Sequence, residues 1–175
     1  MDITIRRGMP ADARLLADLA ASTFRETFAV ENRSEDMALH VSRAYGVSQQ
    51  EAELANPEMT TLLAEVDGQL AAYAQVRANA VPDCVRGTEP LELWRFYVAA
   101  PWHGRGIAHA LMTGVEIEAR ARGAQTLWLG VWERNERAKS FYRKCGFADV
   151  GSQVFVLGTD AQTDRIMVRS LPRHG

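Results

Sequence analysis

The apolar residues of this chain change their spacing near Pro57, and that change constrains the fold more than any other feature of the sequence. Ile3 and Ile5 alternate with polar residues and predict a short first strand. Apolar residues then recur at helical spacing as far as Pro57, which ends the last helical segment because a proline disfavours helix in the residue before it. The predicted helices cover about 18 residues from Pro10, then 34–44, then 48–56.

Beyond Pro57 the spacing becomes that of strands. The runs 59–66 and 70–77 flank Asp67-Gly68, the strongest short signal for a β-hairpin. A continuous apolar run at 127–131 predicts a strand covered on both faces. The remaining predicted elements are strands at 91–98, 154–157 and 165–168 and helices at 107–122 and 138–145. This order predicts a mixed α/β sheet with helices on both faces.

Length and charge exclude several classes of protein. The 175 residues predict a single domain over 1–175, and 20 basic against 22 acidic residues leave no net field for polyanions, so no nucleic-acid partner is expected. No apolar run approaches the roughly 20 residues that span a bilayer, and the N-terminus lacks the apolar core of a secretory signal. We therefore expect no membrane partner and a cytoplasmic location. Cys84 and Cys145 form no CxxC motif and the four histidines no HExxH-like pair, so two free thiols and no metal site are predicted.

A strand runs directly into a helix through a turn with two glycines, Gly104 and Gly106. Glycine lets the backbone approach a ligand closely, and the first amides of a helix have no partners within it. Together with Arg105, these groups favour an anion site, most naturally for phosphate. The turn has no GKS or GKT, which excludes a P-loop, and His109 stands where GxGxxG requires its last glycine. A tight turn that binds nothing is the alternative.

A second informative segment runs from Asn135 to Phe147. Asn135 suits the N-cap of a helix. Tyr142 lies on the same helical stripe as Ala138 and Cys145, which is typical of a buried core aromatic. A tyrosine hydroxyl beside a thioester would instead donate its proton to a departing thiolate. Both interpretations of Tyr142 stay open on this pattern.

The two segments and the order of elements resemble the GNAT superfamily of N-acetyltransferases, most strongly over about residues 60–150. The family's phosphate loop reads Gln/Arg-x-x-Gly-x-Gly/Ala, and residues 103–108 depart from it in having His103 at the first position. A neutral histidine donates only one N–H, so one contact to a pyrophosphate is weakened. The family's following signature, Asn-x-x-Ala-x-x-Phe-Tyr-x-x-x-Gly-Phe, is matched in full from Asn135 to Phe147.

The resemblance implies the GNAT fold, a mixed and mostly antiparallel sheet of six or seven strands with helices on both faces, splayed between its fourth and fifth strands. Acetyl-CoA, without a metal, would lie in the opening between the strands at 91–98 and 127–131. The implied contacts to acetyl-CoA are the backbone of Phe96, Tyr97 and Val98, the loop residues His103, Gly104, Arg105, Gly106, Ile107 and Ala108, and the side chains of Asn135 and Tyr142.

The same resemblance implies roles for two catalytic residues. Tyr142 would protonate the departing thiolate, and Glu92 would remove a proton from the acceptor amine. An amine with a pKa of about 10.4 is almost fully protonated at pH 7, so the reaction needs a base or a water path. The alternative for Glu92 is a strand carboxylate that faces solvent or pairs with a cation near Arg95. The amide of Val98 would stabilise the tetrahedral oxyanion.

Two shorter segments, 23–28 and 92–98, resemble the bacterial spermidine/spermine N-acetyltransferases of the PaiA type, which implies a small-molecule amine acceptor and favours a polyamine. Carboxylates around the pocket would favour such a polycation. The acidic residues considered for this role are Glu26, Glu31, Glu35, Asp36, Asp83, Glu89 and Glu92.

Other functions stay open on the sequence. An amino acid, an aminoglycoside-like compound and a protein or peptide amine are alternative acceptors. A non-catalytic CoA-binding regulatory module would need the glycine loop but neither Glu92 nor Tyr142, and a nucleotide-binding protein would prefer ATP. GNAT relatives are often dimers, so the resemblance also favours a homodimer.

Overall fold

A seven-stranded sheet with the order β1-β2-β3-β4-β5-β7-β6 organises the chain. The computed structural model describes residues 1–173, and His174, one of the four histidines considered above, lies outside them. The strands are β1 (Ile3–Arg7), β2 (Met59–Val66), β3 (Gln69–Arg77), β4 (Pro90–Val98), β5 (Thr126–Trp132), β6 (Ala148–Leu157) and β7 (Asp160–Ser170). The helices are α1 (Ala13–Phe28), α2 (Ser34–Ala44), α3 (Val47–Ala55), α4 (Ile107–Ala121) and α5 (Glu136–Lys144). None of these helices is long and apolar enough to cross a membrane.

Most elements form where the apolar spacing predicts them. The helix α2 has the predicted bounds, and α1 follows a short 3-10 turn at Pro10–Asp12. Asp67 and Gly68 have φ values of 50° and 81°, as a type I′ turn requires, so β2 and β3 form the predicted hairpin. The predicted fold class, a mixed sheet with helices on both faces, is confirmed.

The last two strands are longer than the sequence predicts. β6 begins at Ala148 and β7 at Asp160, whereas the predicted strands cover only 154–157 and 165–168. β6 is an edge strand, and most of its side chains are exposed. Apolar and polar residues therefore do not alternate along its first half, and the pattern gives no signal for its start.

β4 and β5 are neighbouring parallel strands that stay together for only three residue pairs: Pro90–Thr126, Leu91–Leu127 and Glu92–Trp128. β4 then follows β3 as far as Val98, whereas β5 follows β7 as far as Trp132. All other pairings in the sheet are antiparallel. A V-shaped opening results, so the predicted splay between the fourth and fifth strands is confirmed.

A β-bulge at Trp94 accompanies this split. Gln75 faces Arg95 while the next residue of β3 faces Leu93, so Trp94 is the extra residue on β4. Nη1 of Arg95 lies 2.9 and 2.8 Å from the two carboxylate oxygens of Glu53 on α3, and 2.8 Å from Oε1 of Gln75. These contacts bind the second half of β4 to β3 and α3 rather than to β5.

Two apolar cores cover the two faces of the sheet. On one face, α4 buries Leu111 and Val115 completely, and on the other, α1 buries Phe24. β5 contributes to both cores, with Leu129 on the α4 side and Trp132 on the α1 side. The prediction that this strand is covered on both faces is therefore confirmed.

Candidate active site

A cleft of about 1150 Å³ opens where β4 and β5 separate. Residues of β4, β5, α1, α2, α5 and the start of α4 line it, and so do all four tryptophans of the chain, Trp94, Trp102, Trp128 and Trp132. Of the site residues predicted from the sequence, only Arg105 does not line the cleft. Its guanidinium carbon lies 5.4 Å from the ring centroid of Trp102.

The backbone of β4 presents unpaired polar groups to this cleft. The amide of Ala99 donates to the carbonyl of Ala71, so the antiparallel pattern also turns the peptide groups of Tyr97 toward β3. The peptide groups of Phe96 and Val98 consequently point the other way, beyond the last residue pair with β5. Of the three predicted backbone contacts, Tyr97 can therefore offer the cleft only its side chain.

The ring of His103 binds the end of β4. Its Nε2 lies 2.7 Å from the carbonyl oxygen of Val98, so Nε2–H donates to that oxygen. The single N–H that a neutral imidazole provides is then used within the protein, and the amide of Val98 is left as the donor that faces the opening. The backbone amide of His103 also donates within the protein, to the carbonyl of Ala100 at 3.1 Å.

The turn before α4 leaves open space around its glycines. Gly104 and Gly106 have φ values of 73° and 82°, a left-handed conformation that favours glycine, and a Cβ at either position would meet no atom within 4 Å. The first hydrogen bond within α4 runs from Ala110 to Gly106. The preceding amides of Ile107 and Ala108 have no partner in the helix, which makes this end of the cleft suitable for an anion.

The helix α5 places Asn135 and Tyr142 on the wall of the cleft. Oδ1 of Asn135 accepts from the amide of Ala138 at 3.1 Å, which confirms the predicted N-cap and leaves Nδ2 as the donor. Tyr142 is 7% exposed, and its ring lies 6.1 Å from Phe96 and 5.8 Å from Phe147, measured between ring centroids. Burial raises the pKa of the Tyr142 phenol well above its ordinary value, so the hydroxyl keeps its proton at neutral pH.

Glu92 is buried at the vertex of the opening, in the last pair between β4 and β5. Its Oε1 lies 2.8 Å from Nε of Arg77, and its Oε2 lies 3.2 Å from Nδ2 of Asn79. The cation that pairs with Glu92 is Arg77, whereas the guanidinium of Arg95 is bound to Glu53. Glu92 thus both lines the cleft and belongs to an ion pair.

Aromatic side chains form the wall of the cleft on the side of α1 and α2. The rings of Phe24 and His40 stack with centroids 4.4 Å apart, and Tyr45 and Phe155 meet His40 edge-on at 5.7 and 5.5 Å. Burial, assisted by the charge of Arg95, lowers the pKa of His40 to about 4. The imidazole is therefore neutral at pH 7, and this wall is apolar rather than charged.

Carboxylates are fewer at the cleft than the polyamine interpretation expects. Of the seven acidic residues considered, Glu26 and Glu92 line it. Asp36 accepts hydrogen bonds from Thr159, and Glu31 pairs with an arginine at 3.2 Å.

Asp164 on β7 also lines the cleft, although the sequence analysis did not single it out. The predicted strand at 165–168 starts one residue after Asp164, so the alternation assigned this residue to neither face. A prediction of the whole of β7 would have placed Asp164 on one face of the sheet and so drawn attention to it.

Comparison with known proteins agrees with this geometry. The sequence profile of the acetyltransferase (GNAT) family matches residues 18–147. An uncharacterized N-acetyltransferase from the pepI 3′ region of Lactobacillus delbrueckii subsp. lactis is 33% identical over 153 residues, which cover 87% of this chain and 88% of that protein. Aminoglycoside N(6′)-acetyltransferase type 1 of Stenotrophomonas maltophilia is 27% identical over 157 residues, 87% of this chain and 90% of that protein.

A solved structure shares the fold over almost the whole chain. The PaiA N-acetyltransferase from Thermoplasma acidophilum in complex with coenzyme A superposes with a TM-score of 0.81 and 22% sequence identity, and covers 97% of this chain and 99% of that one.

The lowered pKa of His40 is testable by NMR. Because burial disfavours the imidazolium, we expect the carbon-bound ring protons of His40 to keep constant chemical shifts from pH 8 to pH 5 and to titrate with a midpoint near 4. The spectrum of His40→Phe assigns the resonances. A midpoint near 6.5, the ordinary value for histidine, would show that the aromatic wall is open to water.

Proposed function

The chain belongs to the acetyltransferase (GNAT) family and is an acetyl-CoA-dependent N-acetyltransferase, and we propose that it transfers the acetyl group directly to a primary amine of a small molecule. The observation that carries this proposal is the split between β4 and β5. It leaves the peptide groups of Phe96 and the amide of Val98 unpaired beside the free amides at the start of α4. One elongated ligand with a diphosphate at one end would use both sets of groups.

The residues of the cleft fit both the diphosphate and the pantetheine arm of acetyl-CoA. The diphosphate would accept hydrogen bonds from the amides at the start of α4, where Gly104 and Gly106 leave room for its approach. Arg137 and Lys144 on α5 line the same cleft and add positive charge. At the other end, the peptide groups of Phe96 would pair with the pantetheine arm. Nδ2 of Asn135 would donate to the same arm.

The proposed reaction passes through one tetrahedral intermediate. The acceptor ammonium loses a proton to a base, and the amine nitrogen attacks the thioester carbonyl carbon. The oxygen that becomes negative accepts a hydrogen bond from the amide of Val98, and one such donor is typically worth ~3 kcal/mol. The carbon–sulfur bond then breaks, Tyr142 gives its proton to the CoA thiolate, and a proton from the acetylated nitrogen restores the phenol.

We assign the base to Glu92, acting on the ammonium directly or through a water path. Its place at the vertex of the opening supports this role, since the acetyl group would lie beyond the last β4–β5 pair. Arg77 and Asn79 hold the carboxylate in one orientation, which favours proton transfer along a fixed direction. A purely structural ion pair is the alternative, and water alone would then take the proton.

Among small amines, a polyamine is our first candidate for the acceptor, because segments 23–28 and 92–98 resemble the PaiA-type enzymes. Glu26, Glu92 and Asp164 line the cleft and would attract a polycation. An aminoglycoside is the second candidate, since a relative from Stenotrophomonas maltophilia is named for that class of substrate. Both classes carry several ammonium groups, so the same carboxylates suit either.

Release of the CoA thiol tests the proposed function. Purified protein is incubated with acetyl-CoA and, separately, spermidine, spermine, an aminoglycoside, free amino acids and a peptide with a free N-terminus. We expect thiol release above the amine-free rate, with a product heavier by one acetyl group, for at least one small amine. Release with the peptide alone would contradict a small-molecule acceptor. Binding of CoA without release for any amine would indicate a regulatory module, and preference for ATP a nucleotide-binding protein.

Replacing Tyr142 tests its assignment as the acid. We expect Tyr142→Phe to lower kcat by about 10²-fold and to change KM for acetyl-CoA little, because only the leaving thiolate would miss the proton. Tyr73→Phe is the matched control, since Tyr73 is also buried but does not line the cleft. An unchanged kcat in Tyr142→Phe would show that Tyr142 is a core residue that takes no part in the proton transfer.

The glycine turn is tested by a pair of substitutions with equal backbone strain. Gly106 and Gly123 have φ values of 82° and 78°, and a Cβ at either would meet no atom within 4 Å. Valine at each position should cost about 1–2 kcal/mol of stability through left-handed strain. We expect Gly106→Val alone to raise the Kd of CoA, by about tenfold or more, because its turn holds the diphosphate. Equal effects of both variants on the Kd of CoA, measured by calorimetry, would argue against the anion site.

A further inference from the structure

A gap in the side chains of β5 lies next to the carboxylate of Asp164. Alternate residues of β5 face α1, so Trp128, Gly130 and Trp132 share one face, on which Gly130 places no side chain between the two tryptophans. Asp164 is the register partner of Trp132, and its Oδ2 would be 3.1 Å from a Cβ built at Gly130. Nε2 of Gln153 on β6 would be 3.2 Å from the same point. The carboxylate therefore reaches over the gap inside the cleft.

The charge of Asp164 is not balanced by any described residue. Its pKa is raised to about 6 by burial and by the neighbouring Glu133 carboxylate, with no hydrogen bond to offset them. Across the cleft, the Asp164 carboxylate is among the groups that raise the pKa of the Tyr97 phenol. Arg165, the next residue along β7, pairs with Asp149 at 2.7 Å. The groups around Asp164 are thus neutral or negative, and none supplies a counterion.

The other two carboxylates of the cleft already have partners. Glu92 is bound by Arg77, and Glu26 accepts a hydrogen bond from the amide of Ala100 at 3.3 Å. Asp164 is therefore the carboxylate of the cleft that has no partner among the described residues, which indicates a place for a cationic group.

We propose that Asp164 determines acceptor specificity by binding the primary ammonium of the acceptor where its carboxylate, above Gly130, faces the cleft. This inference rests on the proposed function and deepens it, since it names the group that selects a cationic amine. The Asp164 carboxylate provides the counterion of the bound ammonium. Asp164 binds the ammonium only in its ionised form, whereas the proton removal assigned to Glu92 is a separate step.

The test compares Asp164→Asn with Asp149→Asn, a matched change on the same hairpin whose carboxylate pairs with Arg165 at the surface. The acceptor is the amine identified by thiol release. We expect Asp164→Asn to raise KM for that amine about tenfold or more and KM for acetyl-CoA less than about twofold. Below pH 6, kcat/KM for the amine should fall more steeply in the unsubstituted enzyme than in Asp164→Asn, where only the removal of the amine proton still depends on pH. Asp149→Asn should behave as the unsubstituted enzyme.

A second variant and a binding measurement distinguish failure of this inference from failure of the proposed function. Gly130→Ala retains the carboxylate but places a methyl group 3.1 Å from its Oδ2, which displaces it, so this variant too should raise KM for the amine. If thiol is released with an amine and KM for it is unchanged in Asp164→Asn, the inference is overturned while the proposed function stands. If no amine supports thiol release, the proposed function fails, and calorimetry of spermidine with the CoA-bound protein then decides the inference. Binding that is lost in Asp164→Asn supports it, and equal binding or no binding to the unsubstituted protein overturns it.

Discussion

The buried ion pair between Arg95 and Glu53 is the contact on which the opening in the sheet depends. Both side chains are more than nine-tenths buried, and removal of either partner from such a pair typically costs about 3–5 kcal/mol because the other charge stays in the interior. The guanidinium also donates to Gln75, so β3, β4 and α3 meet at one charged group. The bulge at Trp94 lies directly before Arg95 in the strand. β4 therefore changes direction at the bulge, and the ion pair holds it in the new direction. The rest of β4 is aligned with β3, and β5 is free to follow β7.

The departure of this chain from the GNAT loop pattern has a structural counterpart. Where the family has glutamine or arginine, His103 turns its ring back onto the carbonyl of Val98. The end of β4 and the start of α4 are thereby tied together across the turn, and the direction of the Val98 amide is set by a side chain from the loop. A residue that the pattern associates with the phosphate end of the ligand thus supports the reacting end.

Much of the fold follows from local patterns, and much of the site does not. The β2–β3 hairpin and the bounds of α2 are predictable because turn chemistry and apolar spacing act within a few residues. The ion pair of Glu92 with Arg77 is not, since these residues are 15 positions apart and meet only through the register of two strands. Asp164 was missed for a related reason: its strand belongs to an exposed hairpin where burial imposes no alternation.

All four indoles of the chain lie along one cleft, although they are scattered over the sequence from position 94 to position 132. Trp94 touches the guanidinium groups of Arg77 and Arg95, Trp102 lies by the glycine turn, and Trp128 and Trp132 flank Gly130. No tryptophan elsewhere in the protein contributes background emission. The intrinsic tryptophan fluorescence of this protein is consequently a label-free optical reporter of ligand entry into the cleft.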